Sequence, residues 1–108
     1  MAATLEARDK GGVVYLNGST ASMAPTLLPH DYFVGIPTPY SDLRIGMVCT
    51  YKASWNTLPS TCHRIVAKWA GGEGYVMEGD SDRNTAETQS VMNAANYQHH
   101  IISAYRFP

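Results

Sequence analysis

Hydrophobic side chains along this chain fall in short runs, not in long periodic stretches. The runs are rich in β-branched and aromatic residues, and clusters of Gly, Pro, Asn and Asp separate them, which is typical of strands joined by turns. No segment keeps a 3.6-residue periodicity, which argues against a long amphipathic helix. The predicted strands cover residues 12–16, 32–36, 47–51, 62–69, 75–78 and 101–107.

The segments between these runs predict turns and leave room for one short helix at most. Asn17-Gly18 is a turn pair, the two prolines at 37 and 39 end a strand, and the glycines of residues 71–74 suit a hairpin tip. Residues 88–98 are the one place where a helical turn is expected. The pattern predicts an all-β, mostly antiparallel fold: one small twisted domain over residues 1–108, with residues 1–11 as a flexible N-terminal segment.

Composition and charge narrow the class of protein. The chain has 108 residues, of which 44% are hydrophobic and 16% charged, so it belongs with folded domains and not with disordered ones. The net charge of −1 offers no basic surface, so nucleic acid is not an expected partner. No cofactor or metal is expected, since His99 and His100 are neighbours on a strand and point to opposite faces.

The N-terminal sequence and the two cysteines indicate in which cellular compartment the protein is expected. The first ten residues are polar and mixed in charge, without the apolar core of a signal peptide, and no run approaches the ~20 apolar residues of a membrane span. We therefore expect a soluble or cytoplasmic protein without an integral membrane segment. Cys49 and Cys62 would be cross-strand partners if their hairpin is symmetric about its loop. They could then form a disulfide or remain two buried thiols, and the sequence does not decide between these states.

Several short motifs follow one another along the chain, and their order is informative. They are Ser-Met-Ala-Pro-Thr-Leu at residues 22–27 with Asp31 after it, Gly-Met-Val at 46–48, His-Arg-Ile-Val at 63–66, and Gly-Asp-Ser-Asp-Arg-Asn-Thr-Ala-Glu at 79–87. Together they resemble the type I signal peptidase family, which shares its fold with the self-cleaving LexA-type repressors. The family pattern runs Ser-Met-x-Pro-Thr-Leu, Gly-Asp, Gly-Asp-Ile-Val, Lys-Arg or His-Arg, and Gly-Asp-Asn with a later Asp.

The resemblance implies a serine endopeptidase with Ser22 as nucleophile and His63 as general base. A serine hydroxyl is a poor nucleophile without an adjacent base. His63 stands where bacterial members carry a lysine, and the members of the endoplasmic reticulum and archaea have His before Arg, as here. A histidine base suits neutral pH.

A histidine base needs a third group that holds its tautomer. Glu87 matches the final Asp of the family pattern and is the first candidate, and Asp82 is its rival. Asp80 matches the Asp after Gly, and we expect it to shape the site by accepting backbone N–H bonds.

The oxyanion formed during attack needs hydrogen-bond donors. The backbone N–H of Ser22 is one candidate. Thr20 stands where bacterial relatives place a serine whose hydroxyl is the second donor, although a turn threonine is an equally good interpretation.

The resemblance also implies a substrate, a peptide bound as an extended strand with small side chains before the cut. The chain departs from the family pattern at His30, Met47, Ser81 and Glu87, and the membrane anchors of the family are not expected in it. Two alternatives therefore stay open. One is a non-catalytic binding or structural module that retains the fold, and the other is a self-cleaving LexA-like regulator.

Overall fold

The computed structural model describes residues 2–18, 22–54, 58–81 and 90–106. These residues form one α-helix, one short 3-10 helix (Tyr40–Asp42) and seven strands. The helix is α1 (Ala2–Lys10), and the strands are β1 (Val13–Leu16), β2 (Tyr32–Ile36), β3 (Val48–Tyr51), β4 (Thr61–Lys68), β5 (Tyr75–Glu78), β6 (Ser90–Met92) and β7 (Tyr97–Tyr105).

The seven strands form a single sheet in the order β1-β2-β7-β3-β4-β5-β6, and every neighbouring pair is antiparallel. The predicted fold class, a small and mostly antiparallel β-domain with one short helix, is confirmed. The bounds of β2 and β5 agree with the predicted segments, and β4 begins and ends one residue earlier than predicted.

In the described part of the segment 88–98, where a helical turn was predicted, helical hydrogen bonds are limited to one turn: the Asn93 carbonyl accepts the N–H groups of Asn96 (3.3 Å) and Tyr97 (3.0 Å). Ser90–Met92 form β6, and β7 already begins at Tyr97. The Asn93 side-chain oxygen accepts backbone N–H bonds from Ala95 (3.0 Å) and Asn96 (3.2 Å). The Asn93 side chain thus adds to the backbone bonds of this single turn, and the chain then enters β7.

The N-terminal segment that was predicted to be flexible contains helix α1 instead. Its residues are good helix formers, such as Ala, Leu, Glu and Arg. Ala3 and Ala7, one turn apart, are buried against Val34 of β2. The Glu6 carboxylate also faces the sheet and accepts bonds from the Ser103 and Tyr105 hydroxyls of β7. Because the helix faces the sheet with alanine and glutamate and Leu5 is exposed, no apolar stripe revealed it.

The two faces of the sheet carry different groups. Because successive strand residues point to opposite faces, Cys62 and His63 diverge. Cys62 packs with the cluster of Met23, Leu27 and Phe33. His63 points to the face of the larger cluster, which consists of Leu43, Cys49, Tyr51, Ala53, Ile65, Met77 and Met92.

The two cysteines are free thiols, and they are not cross-strand partners. The β3–β4 register pairs Cys49 with His63 and Thr50 with Cys62, so the cysteines are offset by one residue and point to opposite faces. The expectation of a symmetric hairpin was wrong by that one residue.

A reductant should therefore leave the thermal stability of the protein unchanged. Burial raises the pKa of both thiols to about 12, so few thiolates exist at pH 8 to react. Differential scanning fluorimetry with and without dithiothreitol, and the rate of reaction with Ellman's reagent before and after denaturation, check this. A melting temperature that falls with reductant would show that a bridge forms in solution.

Candidate active site

Ser22 lies within the loop between β1 and β2, and Asp31 holds the end of that loop that leads into β2. We name residues 22–28 the serine loop. Asp31 accepts the backbone N–H of Leu28 (2.8 Å) and two bonds from the Arg106 guanidinium (2.9 and 2.8 Å). Its carboxylate is 2% exposed, and the bonds from Arg106 hold its pKa below the ordinary value.

His30, which replaces the glycine of the family pattern, has a left-handed backbone with φ of 68°. A residue with a Cβ is strained in this conformation, whereas glycine adopts it freely. A glycine suits this position of the family pattern because of the left-handed backbone, and this chain has a histidine there in spite of the strain.

Replacing His30 with glycine should raise the free energy of unfolding by about 0.5–1 kcal/mol, because the left-handed strain disappears. His30→Ala is the matched control: it removes the exposed imidazole but keeps the Cβ, so it should give no gain. Urea unfolding of the three proteins measures the difference. Equal stabilisation by alanine would mean that the imidazole, and not the backbone, is at fault.

Asp80 connects the serine loop to strand β4. Its carboxylate accepts two bonds from Arg64 (2.8 and 2.7 Å) and one from the Thr26 hydroxyl (2.5 Å). Next to it, the Ser81 N–H donates to the Ser22 carbonyl at 3.0 Å. Asp80 was expected to accept backbone N–H bonds, but its donors in the described part of the chain are side chains. It shapes the site by fastening two segments together.

His63 lies on β4, opposite Cys49, and its side chain is 2% exposed. The pairing of β4 with β5 begins at the next residue, where Arg64 lies opposite Glu78. The Nδ1 atom of His63 is 3.2 Å from the hydroxyl of Tyr51 on β3. That hydroxyl also hydrogen-bonds the Ser90 hydroxyl at the start of β6.

Burial lowers the pKa of His63 to about 4, and the negative charges of Asp80 and Glu78 only partly offset this effect. The imidazole is therefore neutral at pH 7, and one ring nitrogen has a lone pair that can accept a proton. Asp80 itself stays ionised because its bonds from Arg64 hold its pKa below the ordinary value.

The structure brings some of the predicted site residues close to one another. Contacts through Asp80 and Ser81 fasten the serine loop beside β4, and Asp80 is near enough to act electrostatically on His63. A hydrogen bond between the Ser22 hydroxyl and His63 stays a prediction. The other predicted site residues are outside the part of the chain that the structure describes, so their roles stay predictions. They are Thr20, Asp82 and Glu87.

Tyr51 is the residue near His63 that sequence reasoning missed. It ends a predicted strand, but its approach to His63 depends on the β3–β4 register, which pairs Cys49 with His63 and leaves Tyr51 two residues further along the same face. A tyrosine at a strand end carries no such signal by itself.

Searches against protein-family models, curated proteins and solved structures gave no significant match for this chain. Within residues 2–18, 22–54, 58–81 and 90–106, no helix is long and apolar enough to cross a membrane. The same residues contain no group of three or more His, Cys, Asp or Glu side chains arranged to hold a metal ion.

Proposed function

We propose that this protein is a serine endopeptidase of the signal peptidase-like type, with Ser22 as nucleophile and His63 as general base. The observation that carries the proposal is the Asp80 connection. It fastens the serine loop to the strand of a buried, neutral histidine, and that is the pair of groups that a Ser/His dyad requires.

In the proposed reaction, the Ser22 hydroxyl gives its proton to His63 Nε2 as its oxygen attacks the peptide carbonyl carbon. The protonated imidazole then passes that proton to the departing amine, and water hydrolyses the acyl-enzyme with His63 again as base. The Ser22 N–H and the Thr20 hydroxyl are the proposed oxyanion donors. Glu87, or Asp82 in its place, is the proposed acidic neighbour of the base.

The proposed substrate is a peptide bound as an extended strand with small side chains before the cut. A pocket beside the serine loop offers a place for one side chain of such a peptide. It has a volume of about 190 Å³, and it lies between the serine loop, β3 and β7. Its lining residues are Thr26, Leu27, Val48, Ile101, Ile102, Ser103 and Ala104.

A non-catalytic binding module with the same fold is the second candidate, and two observations favour it. His63 is only 2% exposed, which limits access to its ring. Met23, next to Ser22, packs on the sheet face of Cys62, whereas His63 points to the other face. To contact the His63 ring, the Ser22 side chain would have to pass to the other face of the sheet next to His63, where the pairing of β4 with β5 has not yet begun.

Cleavage of a peptide library with alanine at the first and third positions before the cut separates the two candidates. Mass spectrometry of the products locates the cut. A fluorophosphonate reagent, which modifies activated serines, should add its mass to the peptide that contains Ser22. The absence of both product and adduct would contradict the peptidase and favour the binding module.

A further inference from the structure

A chain of three hydrogen-bonding side chains begins at His63, and neither the predicted triad nor the proposed function uses its other two members. It runs from His63 Nδ1 to the Tyr51 hydroxyl and on to the Ser90 hydroxyl. Tyr51 and His63 are 0% and 2% exposed, and they are surrounded by apolar side chains such as Ile65. A buried polar chain of this kind sets the orientation of its members.

We propose that Tyr51 is the positioning residue of His63: its hydroxyl oxygen accepts the Nδ1–H bond and thereby holds the Nε2 lone pair ready for the nucleophile. This inference rests on the proposed function, in which His63 takes the proton of Ser22. It assigns to a tyrosine the part that was predicted for Glu87 or Asp82.

The direction of the bonds follows from the inventory of donors. A neutral imidazole has one N–H and one lone pair, so the atom that Nδ1 bonds decides what Nε2 can do. If Tyr51 accepts from Nδ1–H, its own O–H is free to donate to Ser90, and every bond in the chain points away from His63. Nε2 then has its lone pair, and a proton arriving there leaves the Nδ1–H bond intact.

A tyrosine in this place differs from a carboxylate in charge. Burial raises the pKa of Tyr51 to about 12, so its hydroxyl is neutral at any working pH. It can orient the ring without the electrostatic attraction by which an ionised carboxylate would raise the pKa of His63. The site then holds a neutral imidazole in one tautomer inside an apolar cluster.

The test compares Tyr51→Phe with a matched control, Tyr97→Phe. Tyr97 packs against the same cluster, but its hydroxyl donates to the Thr38 carbonyl (2.6 Å), so the control removes a comparable bond elsewhere. Nitrogen-15 NMR of the imidazole reports the tautomer, and peptide hydrolysis reports kcat and KM. We expect Tyr51→Phe to shift His63 from the Nδ1–H to the Nε2–H form and to lower kcat about 100-fold with KM unchanged.

Ser90→Ala provides a second, gentler variant. It removes the acceptor of the Tyr51 O–H, which can then turn its proton toward His63, so the tautomer should shift in the same direction and kcat should fall less than in Tyr51→Phe. An unchanged tautomer and kcat in Tyr51→Phe, relative to Tyr97→Phe, would overturn the inference. So would a tautomer shift that occurs in Glu87→Gln but not in Tyr51→Phe.

Failure of the inference and failure of the proposed function give different results. If the unmodified protein cleaves no peptide, the proposed function fails, and the NMR measurement alone still decides whether Tyr51 holds the Nδ1–H form. If the protein cleaves peptide in a Ser22-dependent way but Tyr51→Phe behaves as Tyr97→Phe does, the function stands and the role of Tyr51 is wrong.

Discussion

Replacing Ser22 with alanine should abolish peptide cleavage while the protein stays folded. Without the hydroxyl oxygen no acyl-enzyme can form, so the residual rate should fall to the background of the assay. The substitution removes one hydroxyl from a half-buried loop residue and no core volume, which should change the free energy of unfolding by about 0.5 kcal/mol or less. Cleavage assays and thermal melts on the same samples measure both effects.

His63→Ala should be nearly as damaging to cleavage, because a nucleophile and its base act as one unit and their losses do not add. The double variant should accordingly be no slower than either single variant. Equal rates in the unmodified protein and Ser22→Ala would show that a contaminant cuts the peptide.

Replacing Asp31 with alanine should lower the free energy of unfolding by about 2 kcal/mol. The substitution removes a buried carboxylate, both bonds to Arg106 and the acceptor of the Leu28 N–H. The Arg106 side chain is 54% exposed and returns to water, so the loss is smaller than for a fully buried pair. Urea unfolding measures the change.

Asp42→Ala is the control for this prediction, because Asp42 is an exposed aspartate on the 3-10 helix. It should change stability by about 0.5 kcal/mol or less. Cleavage by Asp31→Ala should also decrease at temperatures where the protein is still folded, since the serine loop loses its anchor. A loss of stability no larger than that of Asp42→Ala would mean that the ion pair with Arg106 contributes nothing.

Strands were predictable where side-chain type and turn residues agreed. β2 and β5 are runs of β-branched and aromatic residues between clear turn residues, and their predicted bounds were right. β6 has only three residues, too few for any alternating pattern. Helix α1 was missed because alanine faces the sheet, and alanine does not stand out as an apolar position.

The site was predictable only as far as local motifs describe it. Asp31 and Asp80 were recognised from their neighbours in the sequence, and both hold the serine loop. Their partners were not recognised, since Arg106 and Thr26 lie 75 and 54 residues away from them along the chain. The contact of Tyr51 with His63 depends on the β3–β4 register. The register expected from the sequence was wrong by one residue, as the cysteines show, so this contact could not be predicted.

The central position of β7 has a consequence for how the molecule assembles. β1 and β2 enclose the serine loop, while β3 to β6 include His63 and lead to Asp80, and in the sheet β7 alone joins these two parts. Its contacts with β2 connect residues far apart in sequence, which are slow to form during folding. The proposed nucleophile Ser22 and the proposed base His63 should therefore come together late in folding, and a destabilising substitution in β7 should lower cleavage without altering either side chain.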